Sequence, residues 1–168
     1  GVGNYVMNAA MDGAFRNTTV GYDSLGSITT GDDNTALGRH AGNAITTGSN
    51  NVAIGSSALE TATAPTQNVA IGKNAMNNMT GAGDGNVVIG ADAGDAFGSA
   101  AVGGTVLIGK NAGTSINSTD ANYAVAIGQE ALLNMTVGQK NVAIGYQALA
   151  TQVDGDNNTA VGYQALKT

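Results

Sequence analysis

Few side chains in this sequence are equipped for chemistry. His40 is the only histidine among 168 residues, and cysteine is absent. The imidazole is therefore the one natural general base near neutral pH, as acyl transfer would require. Disulfides, thiolate metal sites and cysteine nucleophiles are excluded. The acidic turns Asp32-Asp33-Asn34 and Asp154-Gly155-Asp156 offer the oxygen ligands that a hard cation such as calcium takes. They lack the nonapeptide spacing of calcium-loaded rolls, and Asp, Asn and Gly are ordinary turn formers, so no metal site is expected. No paired carboxylates, nucleophile elbow or phosphate-binding loop accompanies His40. The expectation is a protein that is not an enzyme and uses no cofactor.

Charge narrows the partners. The net charge is −6, with six Lys plus Arg. Phosphate neutralisation needs clustered basic side chains, so a nucleic-acid partner is not expected. The same balance disfavours an anionic membrane surface, and the longest apolar runs fall far short of a spanning helix. The chain starts at Gly1 and reads as a fragment of a longer protein. Aromatic residues make up 4% and Gly numbers 26, yet Val and Ile recur on a schedule that a disordered chain would not keep.

That schedule is the elements' signature. Asn51-Val52-Ala53-Ile54-Gly55 returns as Asn68-Val69-Ala70-Ile71-Gly72 and as Asn141-Val142-Ala143-Ile144-Gly145. The framing glycines are Gly21, Gly38, Gly55, Gly72, Gly90, Gly109, Gly128, Gly145 and Gly162, separated by 17, 17, 17, 18, 19, 19, 17 and 17 residues. Val2-Gly3 reads as a truncated tenth copy. The repeat fills 1–168 as one domain with no linker. Immediately before each central small residue the chain carries Val or Thr, and immediately after it Ile, Val or, at Leu37, Leu; the β-branched first column suits a pleated strand. Return stretches such as Thr46-Thr47-Gly48-Ser49-Asn50 are turn-rich. Coils of 17–19 residues stacked about 4.8 Å apart would make an all-β parallel solenoid of about ten coils.

Period-2 spacing puts the Val and Ile of each strand on one face and the middle residue on the other. The middle column reads Thr19, Ala36, Ala53, Ala70, Val88, Leu107, Ala126, Ala143 and Ala160. The expected arrangement has Val and Ile filling the coil, with the middle column outward on a wall that water would meet in a lone rod. That wall is apolar or small in eight of nine copies, so a second surface should cover it, through self-association along the rod. Val52, Ala53, Ile54, Val69, Ala70, Ile71, Val142, Ala143 and Ile144 are thus the packing residues, in the core or between subunits. The Asn column (Asn17, Asn34, Asn51, Asn68, Asn86, Asn141 and Asn158) is expected to stack as an amide ladder.

The phrase Asn-Val-Ala-Ile-Gly-x-x-Ala, repeated in a Gly- and Ala-rich chain, resembles the YadA-like heads of trimeric autotransporter adhesins. Asn158-Thr159-Ala160-Val161-Gly162-Tyr163-Gln164-Ala165-Leu166 also resembles phage tail-fibre repeats. The resemblance implies a left-handed β-roll in an intertwined or side-by-side homotrimer, extracellular on a virion or a bacterial surface, and attachment to a host cell or surface. Asn51 and its equivalents stand where the adhesin pattern usually has Ser, and these coils are longer.

The two positions after each framing glycine vary within a fixed frame, which marks them as exposed. Tyr22, Arg39, His40, Lys73, Lys110, Tyr146 and Tyr163 are the candidates there for contact with a cell-surface glycan or protein receptor. The rival reading is a monomeric solenoid. An acyltransferase of the hexapeptide type should show its unit about three times per coil, whereas Ile54-Gly55-Ser56-Ser57-Ala58-Leu59 supplies one. An ice-binding face should array Thr coil after coil, and pairs such as Thr29-Thr30 and Thr46-Thr47 do not persist.

Overall fold

The structure is a computed structural model and describes residues 1–10, 12–81, 83–98, 101–118 and 121–167. Nine three-residue strands form a single parallel sheet in sequential order. They are β1 (Thr18–Val20), β2 (Thr35–Leu37), β3 (Val52–Ile54), β4 (Val69–Ile71), β5 (Val87–Ile89), β6 (Val106–Ile108), β7 (Val125–Ile127), β8 (Val142–Ile144) and β9 (Thr159–Val161). Each pairs one-to-one with the next, as in Val52↔Val69, Ala53↔Ala70 and Ile54↔Ile71. The fold is a β-solenoid. Its nine strands bound eight full turns rather than ten, because Val2 joins Val20 only through an isolated bridge.

The faces of the strand are the reverse of the expected ones. The middle column points inward: Ala36, Ala53, Ala70, Val88, Leu107, Ala126, Ala143 and Ala160 are buried, and the flanking Val and Ile point out. Volume explains the inversion. The interior is filled from the return path, where the fourth and seventh residues after the framing glycine supply Leu25 and Ile28, Met76 and Met79, and Leu132 and Met135, all fully buried. Little room remains for the strand, and Ala fits it. In four other coils a large residue at one of these positions faces a small one at the other. Leu59 pairs with Ala62, whereas Gly42, Gly94 and Gly113 pair with Ile45, Phe97 and Ile116. A Cβ on Gly94 would meet the Phe97 ring at 3.1 Å. The one polar middle residue, Thr19, hydrogen-bonds the one polar residue in the following Ala column, Ser24.

Three corners close each coil, and each uses the left-handed region in register. The second residue after the glycine does so in every copy, as at Asp23 (φ 53°), His40 (φ 59°) and Gln147 (φ 53°). Leu25, Leu59 and Leu149 do so at the fourth position, and Asn50, Gln67 and Lys140 just before the Asn column. A left-handed L-residue costs roughly 1–2 kcal/mol. The cost is offset because corner amides within the stack are held by the adjacent coil, as in His40 N–H to Tyr22 O (2.9 Å) and Gln147 N–H to Gln129 O (2.9 Å). Insertions in the 18- and 19-residue coils are absorbed outside the strands, so Val87↔Val106 and Val106↔Val125 stay aligned.

The Asn ladder forms inside this frame. Asn51 Nδ2 donates to Asn34 Oδ1 (2.9 Å) and to Pro65 O (2.8 Å), while Asn51 Oδ1 accepts from the backbone N–H of Asn68 (3.0 Å). Asn86 continues it from Asn68, and Thr105 Oγ1 ends that run on Asn86 Oδ1 (2.8 Å). The ladder restarts at Asn141 and Asn158. A second acceptor column lies beside it: Asp32, Asp84 and Asp156 receive the backbone N–H of Phe15 (2.6 Å), Thr66 (3.0 Å) and Gln139 (2.8 Å). The acidic turns thus cap the coil before them.

Candidate interaction surface

With alanine inside, the outer face of the sheet carries two parallel columns of β-branched side chains. Six consecutive strands present Val and Ile together: Val52 and Ile54, Val69 and Ile71, Val87 and Ile89, Val106 and Ile108, Val125 and Ile127, and Val142 and Ile144. These side chains are half-buried by their own neighbours, except the more exposed Ile144. The first column becomes Thr18 and Thr35 at one end and Thr159 at the other. The first column is therefore bounded along the rod, whereas the second continues apolar and exposed as Val20, Leu37 and Val161. Six rungs at about 4.8 Å and a width of about 10 Å give roughly 300 Å². That is the size of the largest apolar patch on an ordinary monomer, and well under the roughly 800 Å² per partner of a standard interface. Flanking columns must share in any contact that covers it.

One flank is the variable pair after the framing glycine. Arg39, Lys73 and Lys110 are exposed there, as are Tyr22, Tyr146 and Tyr163. Tyr146 and Tyr163 stack with ring centroids 5.3 Å apart and planes 17° apart. Tyr22 lies edge-on to Tyr5 (5.6 Å) and beside His40 (5.7 Å). The seven sequence candidates are therefore not one cluster: Tyr22, Arg39 and His40 meet near the first coils, Tyr146 and Tyr163 near the last, with Lys73 and Lys110 between. Lys73 and Lys110 make no direct ion pair among the described residues.

The second variable position forms polar chains that sequence reasoning did not single out. Glu130 accepts from Gln147 Nε2 (2.6 Å), and Gln147 Oε1 accepts from Gln164 Nε2 (2.9 Å) and Lys167 Nζ (2.5 Å). Hydrogen bonds from Gln147 and then Gln129 hold the Glu130 carboxyl below its ordinary range. Asn74 donates to Asp92 (2.9 Å) and Asn78 to Asp95 (3.1 Å). Burial, and then the nearby Asp92, push the Asp95 carboxyl up. The signal was the spacing of like residues by one coil, as in Gln147 and Gln164. The opposite flank carries Gln67, Tyr123 and Lys140, with Tyr123 60% exposed beside the stripe.

Among the described residues no group of three or more His, Asp or Glu is arranged to hold a metal ion, and no cavity opens in the rod. Glu60, on the coil after His40, reaches back to that imidazole, a contact 20 residues apart that the sequence did not signal. Comparison with protein-family models, with curated proteins and with solved structures finds no match.

Proposed function

We propose that this chain is one protomer of a homotrimeric, extracellular fibre segment that attaches its bearer to a host cell or surface. The observation that carries this reading is the double Val/Ile column on the outer face of six consecutive strands. A solvated parallel sheet face has no use for twelve β-branched apolar side chains in register, whereas a neighbouring copy would bury them. At about 25 cal/mol per Å², roughly 300 Å² contributes up to about 7 kcal/mol per protomer, comparable with the cost of association. Flanking contacts through Tyr123, Lys73 and Lys110 add the rest. The threefold count and the attachment role come from the repeat's resemblance to adhesin heads and tail fibres. The filled interior suits a rigid spacer, and the exposed Tyr and Arg side chains at the corners are the surface offered to a glycan or protein receptor.

Sedimentation equilibrium tests the assembly. The chain should sediment as a trimer at micromolar concentration, and Ile89→Asp should sediment as a folded monomer, because Ile89 is partly in water within one protomer. A wild-type chain that stays monomeric, or an Ile89→Asp trimer as stable as the parent, would sink the proposal.

A further inference from the structure

The two apolar columns of the sheet lie between two corner columns, and all four run along one face of the rod. Side chains alternate in direction along an extended segment. The residue five before each framing glycine and the one just after it therefore point outward, with the first and third residues of the strand. Burial follows that alternation: Gln67 and Lys73 are exposed, Asn68 and Ala70 buried, Val69 and Ile71 half-buried. The two corner columns differ in charge. The one after the glycine holds Arg39, Lys73 and Lys110 and no acid. The one before the strand holds Asp33 between Arg16 and Asn50, and Lys140 near the far end. Six residues of extended chain, about 20 Å, separate the two edges.

One coil carries unbalanced charge at both edges. Arg16 bonds Asp33 through Nε (2.6 Å) and Nη2 (2.9 Å) and stands 3.7 Å from Asp32, so one guanidinium faces two carboxylates. Across the face, Arg39 touches Ser56 Oγ (3.3 Å) and the His40 ring and has no ion pair among the described residues. The surplus anion and the spare cation are too far apart to meet within one chain. Two like faces can cover each other in two ways. Antiparallel rods set each corner column against itself, basic on basic. Parallel rods set the basic column of one copy against the mixed column of the next, and closure of a ring about the rod direction allows no axial step. In that level register Arg39 meets Asp33, while Tyr22 meets Arg16 and Tyr146 meets Lys140, two cations on ring faces. A slip of one coil, about 4.8 Å, sets Arg39 against Arg16 in one direction and against Asn50 in the other.

We propose that the sheet face is covered by a second copy of this chain, parallel and level, with Arg39 of one protomer paired to the partner's Asp33. The Val and Ile columns repeat at every coil and would pack as well after a slip, so they leave the height of the neighbour free. The corner pair fixes it, because Arg39 neutralises the surplus carboxylate in one register and not in the registers beside it. This inference rests on the homotrimer reading and adds which edges meet and at what height. The receptor surface is then left to corner side chains outside the seam.

A double-mutant cycle on the whole chain, read by sedimentation equilibrium, tests the pairing with Arg39→Gln, Asp33→Asn and the two together. Within one protomer residues so far apart act independently, so coupling between them reports a contact across the seam. Three exposed ion pairs are lost per trimer, and each single variant should lower the association constant about tenfold. The double variant should lower it no further than either single one, and added salt should narrow the gap from the parent. Arg39→Gln combined with Asn50→Ala, the slipped partner, should show independent effects. If the Arg39 and Asp33 effects multiply, or if Asn50 is the coupled residue, in a chain that still forms trimers, the pairing is overturned and the trimer stands. A parent chain that sediments as a monomer or a dimer overturns both.

Discussion

Replacing Gly55 by alanine separates two reasons for a glycine in this rod. Gly55 has φ +131°, and a Cβ there would lie 2.5 Å from the carbonyl oxygen of Gly72 and 2.6 Å from its carbon. Backbone cannot move aside as a side-chain tip would. The two coils must separate, straining the Gly72 N–H to Ile54 O bond (2.7 Å) and the Asn74 N–H to Ser56 O bond (3.0 Å). Backbone strain of about 1–3 kcal/mol and weakening of two hydrogen bonds at about 1 kcal/mol each put Gly55→Ala near 3–5 kcal/mol. Gly85 is the control. Its φ is +70°, a Cβ would meet nothing within 4 Å, and its column holds Gln67 and Lys140 at similar φ. Left-handed strain of roughly 1–2 kcal/mol, less about 0.4–1 kcal/mol from a stiffer unfolded chain, leaves Gly85→Ala near 1 kcal/mol. Urea unfolding of both variants at one protein concentration reads the difference, and hydrogen exchange at the Leu37, Ile54 and Ile71 amides localises it. Equal losses would refute the reasoning, showing that φ alone, and not the approach of stacked backbones, selects the framing glycines.

Two further substitutions probe the interior and the pH response. Gly42→Leu alone should overpack against Ile45, whose Cδ1 would stand 3.0 Å from the new Cβ, at a cost of about 1–3 kcal/mol. Adding Ile45→Ala recreates the Leu59/Ala62 arrangement of the next coil, so a double-mutant cycle in urea should give a favourable coupling of about 1 kcal/mol or more. Asp95→Asn should raise the melting temperature at pH 7. A carboxyl whose folded pKa is raised keeps its full stability only below its unfolded value and loses it as pH rises through the folded one. The variant's advantage should therefore vanish on acidification toward pH 4, in thermal scans across that range.

The strand boundaries were legible because each repeat writes its pleat in three letters closed by glycine, and β1 to β9 fall on those triplets. The Asn ladder was legible for the same reason: identical residues one coil apart become neighbours. Which face points inward was not. Period-2 alternation separates Val52 and Ile54 from Ala53 without saying which side is dry. The deciding information lay in the return path, where Leu59, Met76, Phe97 and Leu132 occupy the volume a strand isoleucine would need. Counting large apolar residues at those two positions would have assigned the faces correctly. The left-handed Leu25 and Leu59 were illegible, since leucine has no local preference for that region and the stacked corners impose it. Contacts between coils by unlike residues, such as His40 with Glu60, leave no periodic trace.

In-register pairing makes height a digital quantity. Each added or deleted repeat would shift every later residue by one step of about 4.8 Å and leave all other bonds as they were. Extra residues at a corner, as in the two 19-residue spacings, change the outline and not the pitch, since Val87↔Val106 and Val106↔Val125 remain opposite each other. The polypeptide is in that sense a ruler, on which any corner can be redecorated without altering the distance between its marks.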